Sequence, residues 1–166
     1  MSQDINNGNV QPDLFESGES SASKEIHAKS ATMFCDGASS GNPGKSGIGV
    51  LISFNDTGLS DESRTCRLSE YIGNATNNVA EYTALIRGLE KARSLGVRTI
   101  DIYLDSELLV KQMNGMYKVK NKNLYRLWTR AKKLSNDFDS CKITHVRREM
   151  NTEADALARK AVQKGI

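Results

Sequence analysis

The stretch ATNNVAEYTALIRGLEKARSLGVRTIDIYLD, residues 75–105, decides the fold. Its first two-thirds place Val79, Tyr82, Leu85, Ile86, Leu89 and Ala92 at three-and-four spacing, which predicts a helix with one buried stripe. Thr76 opens that helix and Gly96 stops it just after Leu95. From Thr99 the period drops to two. Ile100, Ile102 and Leu104 alternate with polar neighbours, as in a half-buried strand. A helix leading into a strand is a crossover, so the new strand can lie parallel to one that precedes the helix. Upstream, Thr32–Asp36 predicts a strand, followed by the turn-rich GASSGNPGKSG (37–47). Gly47–Phe54 and Arg64–Ile72 predict two more strands around a loop holding Asn55-Asp56-Thr57-Gly58, so the first three strands form an antiparallel meander. Downstream, Ser106–Met113 and Asn121–Asn136 read as helices, Lys142–Val146 as a strand and Asn151–Val162 as a last helix. The order βββαβααβα predicts an α/β domain: a five-stranded mixed sheet, meander plus parallel strands, with helices on both faces.

With 166 residues the chain has room for one domain. No apolar run approaches the length of a bilayer span, and the N-terminus lacks the basic start and apolar block of a secretory leader. Cys35, Cys66 and Cys141 are odd in number and have no CxxC spacing, which argues against a disulfide framework or zinc cluster and for a reducing cytoplasm. Residues 1–30 are polar and aperiodic, with five acids and two bases; they read as a disordered tail ahead of a domain over 31–166. That leaves the domain with a net charge of +6, much of it between Lys111 and Lys133, where eight bases and no acid are interleaved with Tyr117, Tyr125 and Trp128. Such a run either attracts a polyanion or forms a solvated helix face.

Four carboxylates occupy costly positions. Asp36 follows the apolar Met33-Phe34-Cys35, and Asp105 closes IDIYLD immediately before a helix. Glu81 borders the crossover helix's buried stripe, and Asp155 sits in the last helix's first turn. A charge in such a place costs several kcal/mol, of order ~3–5, unless it is paired or bound to metal. Each also has an ordinary explanation. Asp36 and Asp105 would suit capping turns, Glu81 a half-exposed flank, and Thr152-x-x-Asp155 the capping-box pattern.

Four motifs in order, FCDGASSGNPG (34–44), ATNNVAEYTALIRGL (75–89), YLDSELLVKQ (103–112) and HVRREMNTEADALA (145–158), resemble those of type 1 ribonuclease H. The resemblance implies the ribonuclease H-like fold and a metal-dependent endonuclease. Its reaction hydrolyses the RNA strand of RNA–DNA hybrids, leaving 5′-phosphate and 3′-hydroxyl ends. It assigns Asp36, Glu81, Asp105 and Asp155 as catalytic acids holding two Mg²⁺ ions, with Mn²⁺ as the alternative. Mg²⁺ is a hard ion that favours oxygen ligands and leaves room for a phosphate. Two such ions can stabilise both the attacking and the leaving oxygen. The glycine-rich turn from Gly37 to Gly44 would let backbone approach a ligand closely, with Gly37 and Asn42 among the nucleic-acid contacts. Asn77 and Asn78 match minor-groove contacts, and Thr76 and Asn121 a pocket for a phosphate of the DNA strand. For these last four, helix capping or turn formation is the competing explanation.

The chain departs from the family pattern in two places. The long basic helix and loop by which many members grip the hybrid is absent, because only Asn114–Lys120 separates the two helices. The loop histidine of many members is also absent: His145 falls inside a strand pattern, leaving Arg148 and Glu149 as candidates for phosphate contact and metal release. In the tail, Gln11-Pro12-Asp13-Leu14-Phe15 resembles the pentapeptide with which bacterial repair proteins bind the replication sliding clamp; Gln11, Leu14 and Phe15 would be its anchors. The expected partners are therefore an RNA–DNA hybrid and the clamp, with no membrane and a monomer as the default. Two other functions fit the same residues, a nuclease acting on double-stranded RNA and a non-catalytic hybrid-binding module.

Overall fold

The computed structural model describes residues 29–55, 58, 60 and 64–165; the proposed clamp residues Gln11, Leu14 and Phe15, and all of the tail before Lys29, lie outside them. The sheet contains β1 (Lys29–Ser39), β2 (Gly44–Phe54), β3 (Thr65–Ala75), β4 (Val97–Leu104) and β5 (Ser140–His145). The helices are α1 (Asn77–Ser94), α2 (Glu107–Met113), α3 (Lys122–Ser135) and α4 (Thr152–Lys164), with one 3₁₀ turn at Arg148–Met150. Strand order is β3-β2-β1-β4-β5. The β1–β2 and β2–β3 pairs are antiparallel, whereas β1–β4 and β4–β5 are parallel, as the crossover pattern predicts. This is the element order and sheet topology that the resemblance implies.

The first hairpin runs further than its turn-rich sequence suggests. Asp36 pairs with Gly49, Gly37 with Ile48 and Ser39 with Ser46, so Asp36 lies within β1 and not in a turn at its end. Ladder pairing satisfies backbone groups that a loop would leave to water, and only Ser40–Pro43 remains to reverse the chain. The sheet also takes in Lys29 and Ser30, whose composition had placed them in the tail.

Alternation along the strands separates two faces. Met33, Cys35, Ile48, Val50, Ile52, Ile100 and Ile102 join Tyr82, Leu85 and Leu89 of α1 in the main core, closed by Leu124, Ala131 and Leu134 of α3. On the other face, Asp36 and Gly49 are register partners beneath α4. A Cβ on Gly49 would lie 2.0 Å from the Ala154 carbonyl oxygen, so glycine is what lets α4 rest directly on β2. Ala154, Ala158 and Ala161 continue that close seam and are buried. The second such approach is at Gly37. Its Cβ would lie 2.4 Å from both Ala80 C and Glu81 N. The place a Gly37 side chain would take is thus filled by α1, and its absence sets how near Glu81 comes to Asp36.

Candidate active site

Asp36 comes from the middle of β1, Glu81 from the first turns of α1, Asp105 from the end of β4 and Asp155 from the first turn of α4. Asp36, Glu81 and Asp155 line one cleft of about 420 Å³ together with Ser39, Asn77, Arg148 and Arg159. Asp105 adjoins them, since its charge acts on both Asp36 and Glu81.

None of the acids is occupied in capping a helix. Ser106 Oγ accepts from Leu109 N (3.3 Å) at the start of α2, which relieves Asp105 of that duty. At α4 the capping box does not form: Asn151 holds the N-cap position and makes no side-chain cap, while Asp155 turns to Arg159, whose Nε lies 3.1 and 3.0 Å from its two oxygens. Only one acid is fully enclosed. Asp36 is 7% exposed. Its Oδ1 accepts from Gly37 N at 2.9 Å, and its carboxyl faces that of Asp155 in hydrogen-bonding contact. Burial, then the charge of Asp105, lift its pKa from 3.8 to about 8. Glu81 is raised as well, by burial first. Hydrogen bonds from Ser106 and from Asn77 Nδ2 (3.2 Å) partly offset that rise. Asp105 accepts from Asn151 Nδ2 at 3.1 Å and lies 3.5 Å from Arg148 Nε.

Among the described residues, no three His, Cys, Asp or Glu side chains stand close enough to chelate an ion as they are placed. Asp36, Glu81 and Asp155 line the cleft, and Asp105 lies beside it. Arg148, Arg159, Asn77 and Asn151 each pair with Glu81, Asp105 or Asp155, which offsets a repulsion of up to ~4 kcal/mol per close pair at a dielectric of 20. The donor chemistry fits Mg²⁺ or Mn²⁺ nonetheless. Every anionic group in the cleft is an oxygen donor. The one nearby thiol, Cys35, is wholly buried and pushed up by burial and by Asp36, Glu81 and Asp105, so it stays protonated.

Of the residues expected to contact nucleic acid, Gly37, Asn77 and Arg148 line this cleft. Asn42 Oδ1 accepts from Asn77 N (3.1 Å) and pins the hairpin turn to the start of α1. Thr76 caps α1 by accepting from Val79 N, and Asn121 caps α3 by accepting from Asn123 N and Leu124 N. Both caps use only acceptor lone pairs, which leaves the Thr76 hydroxyl proton and the Asn121 amide N–H groups for other partners. Asn78 is exposed on the first turn of α1. Arg148 is 81% exposed at the cleft rim, and Glu149 follows it in the 3₁₀ turn. His145 ends β5 and is exposed.

The basic run is less free than its sequence suggests. Arg130 pairs with Glu90, Lys132 Nζ donates to Met113 O, and Lys111 is shared between Glu107 and Tyr117. Trp128 is half-buried, donating through Nε1 to Gln112 O. Lys118, Lys120, Lys122, Arg126 and Lys133 are exposed, as are Tyr117 and Tyr125. Sequence reasoning missed two residues of the site. The i,i+4 spacing of Asp155 and Arg159 was a usable signal. Asn151 carried none, because an Asn before a helix reads as an ordinary cap.

A mixed five-stranded sheet with one acid in its central strand, one at the end of the neighbouring parallel strand and two on flanking helices defines a ribonuclease H-like protein. The family described as "Reverse transcriptase-like" matches residues 34–161. A relative from Halobacterium salinarum, "Ribonuclease HI", is 42% identical over 129 residues, which are 78% of this chain and 62% of that protein. The chain thus spans less than two-thirds of that relative's length. The crystal structure of RNase H1 from the same archaeon superposes with a TM-score of 0.75 at 39% identity, covering 82% of this chain and 99% of that one. LC11-RNase H1, solved in complex with RNA/DNA hybrid, gives 0.71 at 36% identity, covering 81% and 97%. This chain belongs to the type 1 ribonuclease H family. Among its described residues no helix is long and apolar enough to cross a membrane.

Proposed function

We propose that this protein is an endonuclease that hydrolyses the RNA strand of RNA–DNA hybrids with two divalent cations, Mg²⁺ or Mn²⁺, held by Asp36, Glu81, Asp105 and Asp155. The observation that carries this reading is that Asp36, Glu81 and Asp155, from three separate elements, line one cleft, with Asp105 beside them and none of the four serving as a helix cap. Such ions, when bound, supply positive charge at the attacking and leaving oxygens and lower the pKa of a bound water. The protein's own groups do the rest. The oxygens of Asp36 and Asp155 would serve as hard ligands for such ions. Arg148 and Arg159, which pair with Asp105 and Asp155, are released to meet phosphate. Water adds to phosphorus and the ribose O3′ leaves and is protonated, giving 5′-phosphate and 3′-hydroxyl ends. Asn42, Asn77 and Asn78 would read a 2′-hydroxyl, and the donors that the caps at Thr76 and Asn121 leave unused would meet a phosphate of the DNA strand. Lys118, Lys120 and Lys122 stand in for the missing basic handle. The three free thiols suit a reducing compartment such as the cytoplasm.

The test is a cleavage assay on end-labelled hybrid, DNA duplex and RNA duplex with Mg²⁺, with Mn²⁺ and with EDTA. Cutting confined to the RNA strand of the hybrid, and abolished by EDTA, is expected. An intact hybrid with both ions would refute catalysis; equal cutting of the RNA duplex would refute the hybrid preference.

A further inference from the structure

We propose that Asn151 is a positioning residue, whose side-chain amide holds Asp105 in register with the Asp36 strand so that the acids are poised to take up cations. The inference rests on the metal-dependent reading above and goes beyond it to a residue that no motif assigned. Asn151 is 1% exposed. Its Nδ2 donates twice, to the Cys35 carbonyl oxygen at 3.0 Å and to Asp105 Oδ1 at 3.1 Å. Cys35 immediately precedes Asp36, and Asn151 lies four residues before Asp155. One side chain therefore ties β1, the end of β4 and the start of α4, the elements that carry three of the four acids.

The geometry is costly for a residue with a merely structural task. Both partners are acceptors, so the amide nitrogen must face them, and Oδ1 is left buried with no hydrogen-bond partner among the described residues. The side chain also forgoes the cap that an asparagine at this position ordinarily makes. The fold thus gives up a cap and strands an acceptor, and what it retains in return is the pair of donors on Asp105 and the Cys35 carbonyl. Asparagine is suited to that task. It offers two N–H groups on one neutral nitrogen, whereas aspartate would add a fifth negative charge and leucine would leave both acceptors unpaired. With Oδ1 of Asp105 held by Asn151 and Oδ2 facing Arg148, an incoming cation needs to displace only the exposed arginine.

Groups that orient a metal ligand typically change metal affinity about 10–100-fold when lost. The experiment is calorimetric titration of Mg²⁺ into metal-free wild type, Asn151→Ala and Asn151→Ser, alongside hybrid cleavage at several Mg²⁺ concentrations and a melting curve in EDTA. Wild type is expected to bind Mg²⁺. In Asn151→Ala the dissociation constant should rise about 10–100-fold. Its kcat should fall with KM for hybrid unchanged, and raising Mg²⁺ should recover part of the loss. Asn151→Ser, with one donor, should fall between. Mg²⁺ affinity equal to wild type in a folded variant, with only the melting temperature lowered, would overturn the inference and leave Asn151 a structural link. No Mg²⁺ binding by wild type would overturn the metal-dependent reading itself. Should both variants fail to fold, the wild-type Asn151 side-chain amide resonances decide: they should shift with the same Mg²⁺ dependence as the calorimetric isotherm, and their invariance would overturn the inference.

Discussion

Replacing Gly37 by alanine separates two accounts of a glycine that lies beside Asp36. A Cβ there would stand 2.4 Å from Ala80 C and Glu81 N, and 2.7 Å from Ala80 O. All three are backbone atoms of α1 and cannot swing away as the end of a side chain can. Ordinary contact needs about 3.4 Å, so α1 must retreat from β1 by about 1 Å. Overpacking of this kind costs about 1–3 kcal/mol. For a domain of this size that is roughly 3–5 °C in Tm for each kcal/mol. The retreat also carries Glu81 away from Asp36, and a misplacement of ~1 Å within a catalytic constellation can cost ~100-fold in rate. Gly37→Ala is therefore expected to lower Tm by about 3–15 °C. Single-turnover cleavage of hybrid should fall by about two orders of magnitude. Binding of hybrid in Ca²⁺ should change little. The assay is a circular-dichroism melt paired with single-turnover kinetics and a binding isotherm. An unchanged Tm together with weakened hybrid binding would refute this reasoning, and would show that the glycine serves the ligand and not the helix.

Three further outcomes follow from the same structure. Asp36→Asn should lose cleavage yet raise Tm in EDTA. The folded-state pKa of Asp36 stands at about 8 against 3.8, so its protonated form favours the fold. The advantage of the variant should be absent below pH 4, open as pH rises toward 8 and level off above, and a variant melting below wild type at pH 8 would contradict it. Gln112→Ala strands the buried Tyr82 hydroxyl, which donates to Gln112 Oε1 at 2.6 Å. Thermal denaturation should register a loss of about 1–3 kcal/mol with kcat per folded molecule unchanged. Replacing Lys118, Lys120 and Lys122 by glutamine should raise KM for hybrid and leave kcat intact. The log–log salt dependence should become shallower by about 0.9 for each lysine that meets a phosphate, and an unchanged slope would remove these residues from the interface.

Much of this architecture is legible along the chain because it depends on local periodicity. The three-and-four spacing from Val79 to Ala92 and the two-residue period of Ile100, Ile102 and Leu104 report which faces are buried, and burial is a property each segment carries in its own residues. The four acids stood out only as charges in costly positions, each with an ordinary explanation, and the resemblance is what joined them into one set. Hairpin length was not. Gly37–Ser39 and Gly44–Ser46 read as loop from their glycines and serines, but the partner strand supplied the ladder hydrogen bonds that made them strand. The Thr152-x-x-Asp155 pattern misled for a similar reason: Arg159 and Asp36 lie close enough to claim Asp155, and the cap is never made.

The sequence by itself determined the order of elements and the parallel crossover, since both follow from periodicity within a short span, whereas the four acids were singled out as a set only through the family resemblance. Tertiary structure alone decided that Gly37 and Gly49 set the distance of two helices from the sheet. It also decided that Asn151 faces Asp105 and not its own helix, and that part of the basic run is spent on internal partners. Those outcomes depend on which backbone atoms meet across the sheet. Steric contact and hydrogen bonding act over a few ångströms of space, between residues as far apart in the chain as Cys35 and Asn151.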